Sequence, residues 1–430
     1  MNERFEIEGL AGEQTLSGTI SVYGSKNESL LALSAVLVFE DEITLSNVPA
    51  IADVECMVNL LRDIGATVNE KEKGVYSITP PKNAPVELNK DIVGKIRASV
   101  FFAVVMLARY GHVRLPYPGG DSIGPRPIDQ FISGLKKMGA ECVATGSHYE
   151  FKAPSGGLRG ADIFLKMQSV GATQSLMLAA ILAQGTTTIK NVALEPEIIH
   201  CATFLKVCGA KIEGIGTTTL TITGGGLLRA ATKTYTIIPD RLETGTFLVL
   251  GVLAGKDITI QNADASHVEA LITLLNETTS TEIVVEKNVI RVQNKVPLVI
   301  QPSDVRTHEY PGFASDLQPP LVVLLTQAEG KSLVFETLYE ERFNYVGNLI
   351  QMGATIKTYD PHRISVRGKT ALRGAVHTGP DIRAGLAYVL SAIIAKGHSV
   401  IHNVYVIDRG YERIEERLTP LGIAIKRVTT

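Results

Sequence analysis

The sequence predicts an α/β protein of two domains, each built from three repeats of about 70 residues. Three observations lead to this prediction. With 430 residues, the chain is longer than one hydrophobic core usually serves. Apolar helices alternate with short strands rich in β-branched residues along its length. A helix that ends in Gly-Ala just before a strand recurs at a nearly constant spacing.

The Gly-Ala pair marks the end of the second helix in a repeat. It occurs at Gly65, Gly139, Gly209 and Gly353, and a Gly-Ile variant occurs at Gly422. The intervals are about 70 residues, except for one of roughly twice that length between Gly209 and Gly353. A degenerate copy that has lost the pair is therefore expected near residues 275–280, after a helix that starts at Ala270, and this makes six repeats.

Each repeat opens with a first helix whose body is almost entirely apolar or small, which predicts a core helix. The expected first turns of these helices contain the basic residues Lys26, Arg97, Arg241 and Arg383. A basic residue there opposes the helix dipole. We therefore expect these N-termini to bind a ligand with more than one negative charge. For Arg241, an ion pair with Glu243 at a hinge between the domains is an alternative.

A loop at residues 115–131, with the sequence LPYPGGDSIGPRPIDQF, contains too many prolines and glycines for a helix or a central strand. Such a composition is also typical of an ordinary surface turn. Asp121 and Arg126 on the same loop, taken with the rest of the chain, favour a functional loop.

Composition excludes several classes of protein. The formal charge is −2, 45% of residues are hydrophobic and 20% are charged, and no basic run suggests a nucleic-acid partner. The apolar runs are too short to span a bilayer. Acidic residues occupy the start of the chain, where a signal peptide has basic ones, so we expect a cytoplasmic protein.

Neither the cysteines nor the histidines suggest a metal site. The four cysteines are Cys56, Cys142, Cys201 and Cys208, and no two have the C-x-x-C spacing, so we expect reduced core residues. The nine histidines show no metal-ligand spacing.

Ten short motifs together resemble the UDP-N-acetylglucosamine enolpyruvyl transferases, which are grouped with the 3-phosphoshikimate enolpyruvyl transferases. In chain order they begin at Gly24 (GSKN), Arg97 (RAS), Pro118 (PGGDSIGPRPID), Ser169 (SVGAT), Glu195 (EPEI), Pro239 (PDRLETGT), Tyr310 (YPGFASD), Glu340 (EERF), Asp381 (DIRA) and Asp408 (DRGYE). The resemblance covers nearly the whole chain.

The resemblance implies a fold of two inside-out α/β barrels and no metal or organic cofactor. It places one domain at residues 26–238, with the Pro-Gly-Gly-Asp loop and part of the UDP-sugar site. The second domain comprises residues 1–25 and 239–430, and it carries Asp316 and Arg409.

The implied reaction transfers the enolpyruvyl group of phosphoenolpyruvate to the 3′-hydroxyl of UDP-N-acetylglucosamine, the first committed step of peptidoglycan synthesis. The residues that match catalytic positions are Asp121, Asp316, Lys26 and Arg409. Lys26, Arg126 and Arg409 would hold the phosphate of phosphoenolpyruvate, Arg342 and Arg383 its carboxylate, and Asn27 would lie beside it. The UDP-sugar positions are Asn27, Arg97, Arg126, Pro127, Ile128, Asp129, Gln130, Ser169, Val170, Gly171, Asp316 and Leu338.

Four positions depart from the common pattern of the family. Asp121 stands where a cysteine is usual, which implies insensitivity to fosfomycin, a drug that alkylates that cysteine. The family usually has His, Asn and His where this chain has Phe131, Glu341 and Val406. These differences affect the expected specificity for the nucleotide sugar more than the expected chemistry. The alternatives are a related enolpyruvyl transferase that uses another uridine nucleotide, and a UDP-sugar binding protein without activity. The sequence makes no prediction of the oligomeric state.

Overall fold

The computed structural model describes residues 3–121, 123–230 and 233–429. The chain forms two compact units: unit 1 comprises Met1–Tyr23, Asp121–Pro125 and Pro239–Thr430, and unit 2 comprises Gly24–Gly120 and Arg126–Ile238. These limits differ from the expected ones chiefly at Asp121–Pro125, which the expected domain at residues 26–238 includes. The expected domain that starts at residue 1 also includes residues 1 and 2, which lie outside the described part.

The first two strands belong to unit 1, although they precede unit 2 in the chain. They are β1 (Glu3–Leu10) and β2 (Leu16–Ser21).

Unit 2 contains the first three repeats. The first comprises α1 (Lys26–Ala35), β3 (Ile43–Ser46), α2 (Ala52–Asp63), β4 (Thr67–Glu72) and β5 (Val75–Thr79). The second comprises α3 (Lys90–Val93), α4 (Ser99–Tyr110), β6 (His112–Pro116), α5 (Asp129–Lys137), β7 (Glu141–Ala144) and β8 (His148–Lys152). The third comprises β9 (Asp162–Phe164), α6 (Val170–Leu182), β10 (Thr186–Lys190), α7 (Pro196–Val207), β11 (Lys211–Glu213) and β12 (Thr219–Thr223), and β13 (Thr234–Thr236) follows.

Unit 1 contains the other three repeats. The fourth comprises α8 (Arg241–Ala254), β14 (Gly255–Gln261), α9 (Glu269–Thr278), β15 (Glu282–Glu286) and β16 (Val289–Gln293). The fifth comprises β17 (Val305–Arg306), α10 (Gln318–Leu325), β18 (Lys331–Phe335), α11 (Val346–Gln351), β19 (Thr355–Asp360) and β20 (Arg363–Arg367). The sixth comprises β21 (Val376–Thr378), α12 (Ile382–Ile394), β22 (Lys396–His402), α13 (Tyr405–Asp408), α14 (Ile414–Leu418) and β23 (Ala424–Thr429).

Each repeat contributes one small sheet, which gives six sheets in the described chain and confirms the six-repeat prediction. Five of them have four strands, in which one edge strand runs parallel to its neighbour and the other pairs are antiparallel. In the second repeat a parallel bridge between Glu87 and Arg114 stands in place of the fourth strand. The N-terminal strands complete the sheets of two late repeats: β1 lies between β22 and β23, and β2 is parallel to β14.

The first helices of the repeats form the interior. Every residue of α8 and of α12 is buried, and the bodies of α1, α4, α6 and α10 are buried as well. A helix without a polar face must be covered on all sides, and the sheets provide that cover. Each unit therefore has its own hydrophobic core.

The helix starts agree with the expectation for three of the four basic residues. Lys26 and Arg241 are the first residues of α1 and α8, and Arg383 is the second residue of α12. The expectation for Arg97 is wrong, because α4 begins at Ser99 after the N-cap Ala98.

None of the helices in the described residues is long and apolar enough to cross a membrane.

The Gly-Ala motif ends the second helix because the chain there turns into the left-handed region. Gly65, Gly139, Gly209, Gly353 and Gly422 have φ between 92° and 104°, which a side chain disfavours. In the fourth repeat α9 ends instead at the extended residue Thr279, with φ −127°, so no glycine is required there.

A second repeated feature is an asparagine directly after the strand that follows the buried first helix of a repeat. Asn47, Asn191, Asn262 and Asn403 adopt φ between 52° and 59°. Their side-chain amides donate at 2.7–2.9 Å to backbone carbonyls, those of Ile237, Leu165, Val22 and Gly379 respectively. Each asparagine therefore links the end of its strand to a segment that leads into a buried helix.

Gly209→Ala tests the glycine requirement. No atom lies within 4 Å of the added Cβ, so the cost comes from the left-handed backbone alone. We expect the free energy of unfolding to fall by about 1–2 kcal/mol in urea denaturation. Gly225→Ala is the matched control, because that Cβ also meets open space but the backbone is not left-handed. Equal stability of the two variants would contradict this account.

Candidate active site

Two arginines of unit 1 are almost completely buried. Arg342 and Arg383 are 2% and 5% exposed. Buried guanidinium groups are costly unless carboxylates and hydrogen-bond acceptors surround them. Asp381 is the N-cap of α12: its Oδ1 accepts bonds from Arg383 N and Ala384 N at 3.0 and 3.1 Å, and lies 3.9 Å from Arg342 Nη1. One carboxylate thus fixes the helix start and offsets buried positive charge.

Asp316 lies between the two arginines. Arg342 Nη2 donates to its Oδ1, and Arg383 Nε lies 3.8 Å from its Oδ2. Asp316 is on the short 3₁₀ helix Ser315–Leu317 that leads into α10, and its side chain is 34% exposed. The carboxylate is therefore open to a reactant, while the arginines behind it are shielded from water.

Both arginines remain positively charged in this environment. Burial by itself lowers the pKa of each guanidinium, but the neighbouring anionic groups outweigh it and raise both values. Tyr411 accepts a bond from Arg383 Nη1 at 2.8 Å, and burial raises the pKa of its own hydroxyl. Within the described residues Arg342 Nε meets no acceptor, so this buried cation has a donor available.

The tip of the Pro-Gly-rich loop belongs to unit 1. Asp121 Oδ1 accepts a bond from Arg409 Nη1 at 2.5 Å, and Glu341 N donates to Ile123 O at 3.3 Å. Arg427 bonds both oxygens of Asp408 at 2.7 and 2.8 Å, beside Arg409. These contacts explain why Asp121–Pro125 groups with unit 1, and they bring together Asp121 and Arg409, two of the residues that match catalytic positions.

The two loop glycines make room for close packing in unit 2. A Cβ on Gly119 would lie 1.9 Å from the carbonyl oxygen of Gly94. A Cβ on Gly120 would lie 2.3 Å from Arg126 Nη2 and 3.0 Å from Arg97 Cβ. Gly120 therefore allows Arg126 and Arg97 to lie against the loop backbone, and both side chains are half-buried.

Lys26 and Asn27 lie at the start of α1. Lys26 is 8% exposed, and its ammonium is 3.0 Å from Asp53 Oδ2, a buried carboxylate in the first turn of α2. Ser25 caps the helix by accepting a bond from Glu28 N at 3.3 Å. Asn27 is half-buried beside this pair. The pair holds a cation at a helix N-terminus, the arrangement expected of an anion site.

The residues predicted for the nucleotide occupy two neighbouring helix starts of unit 2. Ser169 is the N-cap of α6, and Gly171 follows Val170 in its first turn. A Cβ on Gly171 would lie 2.8 Å from Phe131 and 2.9 Å from Phe101, whose rings stack with centroids 6.4 Å apart.

The other nucleotide positions lie at the start of α5. Pro127 and Asp129 are exposed, Ile128 is buried, and Gln130 Oε1 accepts a bond from Met167 N at 3.5 Å. Lys166, which precedes Met167, is exposed and lies three residues before the N-cap of α6.

The predicted residues are divided between the two units. Those of unit 1 are Asp121, Asp316, Leu338, Arg342, Arg383 and Arg409, and the others belong to unit 2.

Glu243 is the residue that the sequence offered as an ion-pair partner of Arg241. Its carboxylate accepts bonds from both terminal nitrogens of Arg417 at 2.7 Å, and Arg241 packs over the ring of Tyr310.

The cysteines are free thiols, as expected. Burial raises the pKa of Cys142 to about 11 and raises the pKa of Cys201 and Cys208, so these thiols are weak nucleophiles. Among the residues that the structure describes, no cluster of three or more His, Cys, Asp or Glu side chains could hold a metal ion.

Known proteins resemble this chain over nearly its whole length. A sequence profile described as EPSP synthase (3-phosphoshikimate 1-carboxyvinyltransferase) matches residues 10–418. UDP-N-acetylglucosamine 1-carboxyvinyltransferase of Koribacter versatilis is 42% identical, covering 97% of this chain and 96% of the relative. UDP-N-acetylglucosamine 1-carboxyvinyltransferase 1 of Symbiobacterium thermophilum is 38% identical, covering 99% and 96%.

Solved structures with low sequence identity show the same fold. The enolpyruvyl transferase NikO from Streptomyces tendae superposes with a TM-score of 0.88 at 23% identity, covering 100% of this chain and 99% of that one. EPSP synthase from Acinetobacter baumannii superposes with a TM-score of 0.76 at 17% identity, covering 99% and 100%. The predicted inside-out α/β barrel fold is thereby confirmed. The chain belongs to the EPSP synthase family, and within it to the UDP-N-acetylglucosamine 1-carboxyvinyltransferases.

Proposed function

We propose that this protein transfers the enolpyruvyl group of phosphoenolpyruvate to the 3′-hydroxyl of UDP-N-acetylglucosamine and releases phosphate. The observation that carries the proposal is the open carboxylate of Asp316, held against the buried cations Arg342 and Arg383. A base beside fixed positive charge suits a reaction between a hydroxyl group and a small polyanion. The names of the relatives, at about 40% identity, support the same reaction.

The reaction proceeds by addition and elimination. The sugar 3′-oxygen attacks C2 of phosphoenolpyruvate while Asp316 accepts the hydroxyl proton, and C3 gains a proton. In the resulting tetrahedral adduct, C3 loses a proton as the bond between C2 and the phosphate oxygen breaks. We assign the proton donor to Asp121, and Lys26 is the next candidate.

The anionic groups of phosphoenolpyruvate determine the roles of the basic residues. Arg342 and Arg383 would bind its carboxylate, since a guanidinium presents two parallel donors to a carboxylate. Lys26, Arg126 and Arg409 would bind its phosphate, with Asn27 beside it.

UDP-N-acetylglucosamine would occupy the nucleotide positions of unit 2. Arg126, Pro127, Ile128, Asp129 and Gln130 would enclose the uracil. The first turn of α6, with Ser169, Val170 and Gly171, would take the diphosphate at a helix N-terminus. Asn27, Arg97, Asp316 and Leu338 would contact the sugar. We propose a cytoplasmic location, where both substrates are made, and no partner beyond these small molecules.

A second candidate is transfer to another uridine nucleotide. Phe131 replaces the usual histidine, and with Phe101 it forms an apolar wall against Gly171. This wall lies beside the helix start proposed for the diphosphate, so it bears on the nucleotide that is accepted and leaves the phosphoenolpyruvate residues unchanged.

Phosphate release from phosphoenolpyruvate is the direct test. We expect turnover with UDP-N-acetylglucosamine, giving a product heavier by one enolpyruvyl group, and no turnover with UMP or shikimate 3-phosphate.

Asp316→Ala should lower kcat by about a hundredfold or more, because it removes a positioned base. Arg363→Lys is the control, since Arg363 is an exposed residue of β20 that pairs with Asp360.

Each contrary outcome has a distinct meaning. Turnover with UMP alone would favour the second candidate. Binding of UDP-N-acetylglucosamine without phosphate release under any acceptor would favour a binding protein. An Asp316→Ala variant in which only KM rises would make Asp316 a binding contact.

Asp121→Cys should create sensitivity to fosfomycin. The wild-type carboxylate offers no thiolate to the epoxide, and the pKa values of the buried thiols of Cys201 and Cys208 are raised. We expect a covalent mass increase of one fosfomycin and loss of activity in the variant, measured by mass spectrometry.

Asp121→Asn is the matched control for that experiment. It keeps the shape of the side chain but provides neither a thiol nor an acid, so it should stay unmodified and lose most turnover. Modification of the wild-type protein would contradict the first expectation. Full activity of Asp121→Asn would show that Asp121 positions the loop and is not the acid.

A further inference from the structure

Glu336 is a completely buried carboxylate that the reaction scheme does not use. It directly follows β18 and is 0% exposed. Removing an ionised carboxylate from water costs several kcal/mol unless hydrogen bonds and a positive charge replace the lost hydration. The hydrogen bonds that the side chain of Glu336 accepts therefore indicate its role.

The two oxygens of Glu336 hold two different segments of unit 1. Oε2 accepts a bond from Ser315 Oγ at 2.9 Å. Oε1 accepts bonds from Leu338 N at 2.9 Å and from Tyr339 N at 3.3 Å. Ser315 precedes Asp316 in the chain, and Leu338 and Tyr339 begin the segment that ends at Arg342.

Glu336 is itself fixed to the sheet. Its backbone N donates to His362 O at 2.8 Å, and its carbonyl oxygen lies 2.7 Å from His362 Nδ1. The carboxylate therefore projects from a strand end, and it holds the short 3₁₀ helix Ser315–Leu317 and the loop that begins at Leu338. A rigid support of this kind keeps functional side chains within a fraction of an ångström of their working positions.

We propose that Glu336 is a positioning residue, which holds the turn of Asp316 and the segment of Leu338 and Arg342 at a fixed separation. The inference rests on the proposed function, in which Asp316 and Leu338 contact the acceptor sugar and Arg342 contacts the carboxylate of phosphoenolpyruvate. The separation of these segments then sets the distance between the attacking hydroxyl group and C2. Errors of about 1 Å in such a distance cost roughly a hundredfold in rate.

The test compares kcat and both KM values of Glu336→Ala, Glu336→Gln and Ser315→Ala with those of the wild-type protein. The assays are run at a temperature where circular dichroism shows each variant folded. Glu336→Ala should lower kcat by about a hundredfold and change each KM by less than about threefold. Glu336→Gln keeps an acceptor for the backbone N–H groups and a donor toward Ser315, so it should recover kcat to within about tenfold of wild type.

Ser315→Ala provides a double-mutant cycle. It removes only the link to the Asp316 turn, so its effect on kcat should be smaller than that of Glu336→Ala and should vanish in the Glu336→Ala background. Ser332→Ala is the structural control, because Ser332 is buried in β18 and accepts a bond from Ser303 N at 3.0 Å. It should lower the Tm without changing kcat.

Three results would overturn the proposal. One is a Glu336→Ala variant that loses Tm, as Ser332→Ala does, but keeps its kcat. Another is a Glu336→Gln variant as slow as Glu336→Ala, which would make the charge essential and the hydrogen bonds incidental. The third is independent, multiplying effects of Glu336→Ala and Ser315→Ala.

Failure of the proposed function would be seen separately. A wild-type protein that releases no phosphate with any acceptor would contradict the proposed reaction, whatever the variants do. The positioning role would then be judged from a crystal structure of Glu336→Ala. A displaced Asp316 turn would support the role, and an unmoved turn would overturn it.

Discussion

Compensation of buried positive charge is the constraint on which the catalytic part of unit 1 depends. Arg342 and Arg383 could not remain buried as cations without the carboxylates of Asp316 and Asp381 around them. Each carboxylate also has a second task, because Asp381 caps α12 and Asp316 remains open to a reactant. The carboxylates that offset the charge of the two arginines therefore also cap a helix and supply the base that we propose.

The architecture supplies this arrangement by repetition. Each repeat buries one apolar helix inside a sheet, and helix N-termini are where the basic side chains collect. Helix N–H groups and side-chain cations at such a position favour the same anion, which is why we propose that phosphoenolpyruvate binds there. In unit 2 the equivalent position carries Lys26 with Asp53, so a cation held by a buried carboxylate recurs at the start of a core helix.

The sequence was sufficient to predict the repeats and the buried helices, because both depend on local patterns. The residues of the candidate site follow from the resemblance to the family and stay a prediction. The sequence could not identify the partners of those residues. Asp121 and Arg409 are 288 positions apart, and nothing local indicates that Glu336 faces Ser315. Arg97 was misplaced because helix boundaries are the least certain part of a pattern. The N-terminal strands also join the sheets of late repeats, a pairing that depends on the closed fold.

Binding of phosphoenolpyruvate to Arg342→Lys tests most directly whether these buried guanidinium groups form the carboxylate site. The variant keeps the positive charge and loses the bidentate donor. Binding is measured by calorimetry in the presence of a UDP-N-acetylglucosamine analogue without the 3′-hydroxyl, because this analogue cannot react. Loss of a charge-assisted hydrogen bond of about 1.5–3 kcal/mol predicts a Kd raised by roughly ten- to a hundredfold. An unchanged Kd in a folded variant would contradict the account.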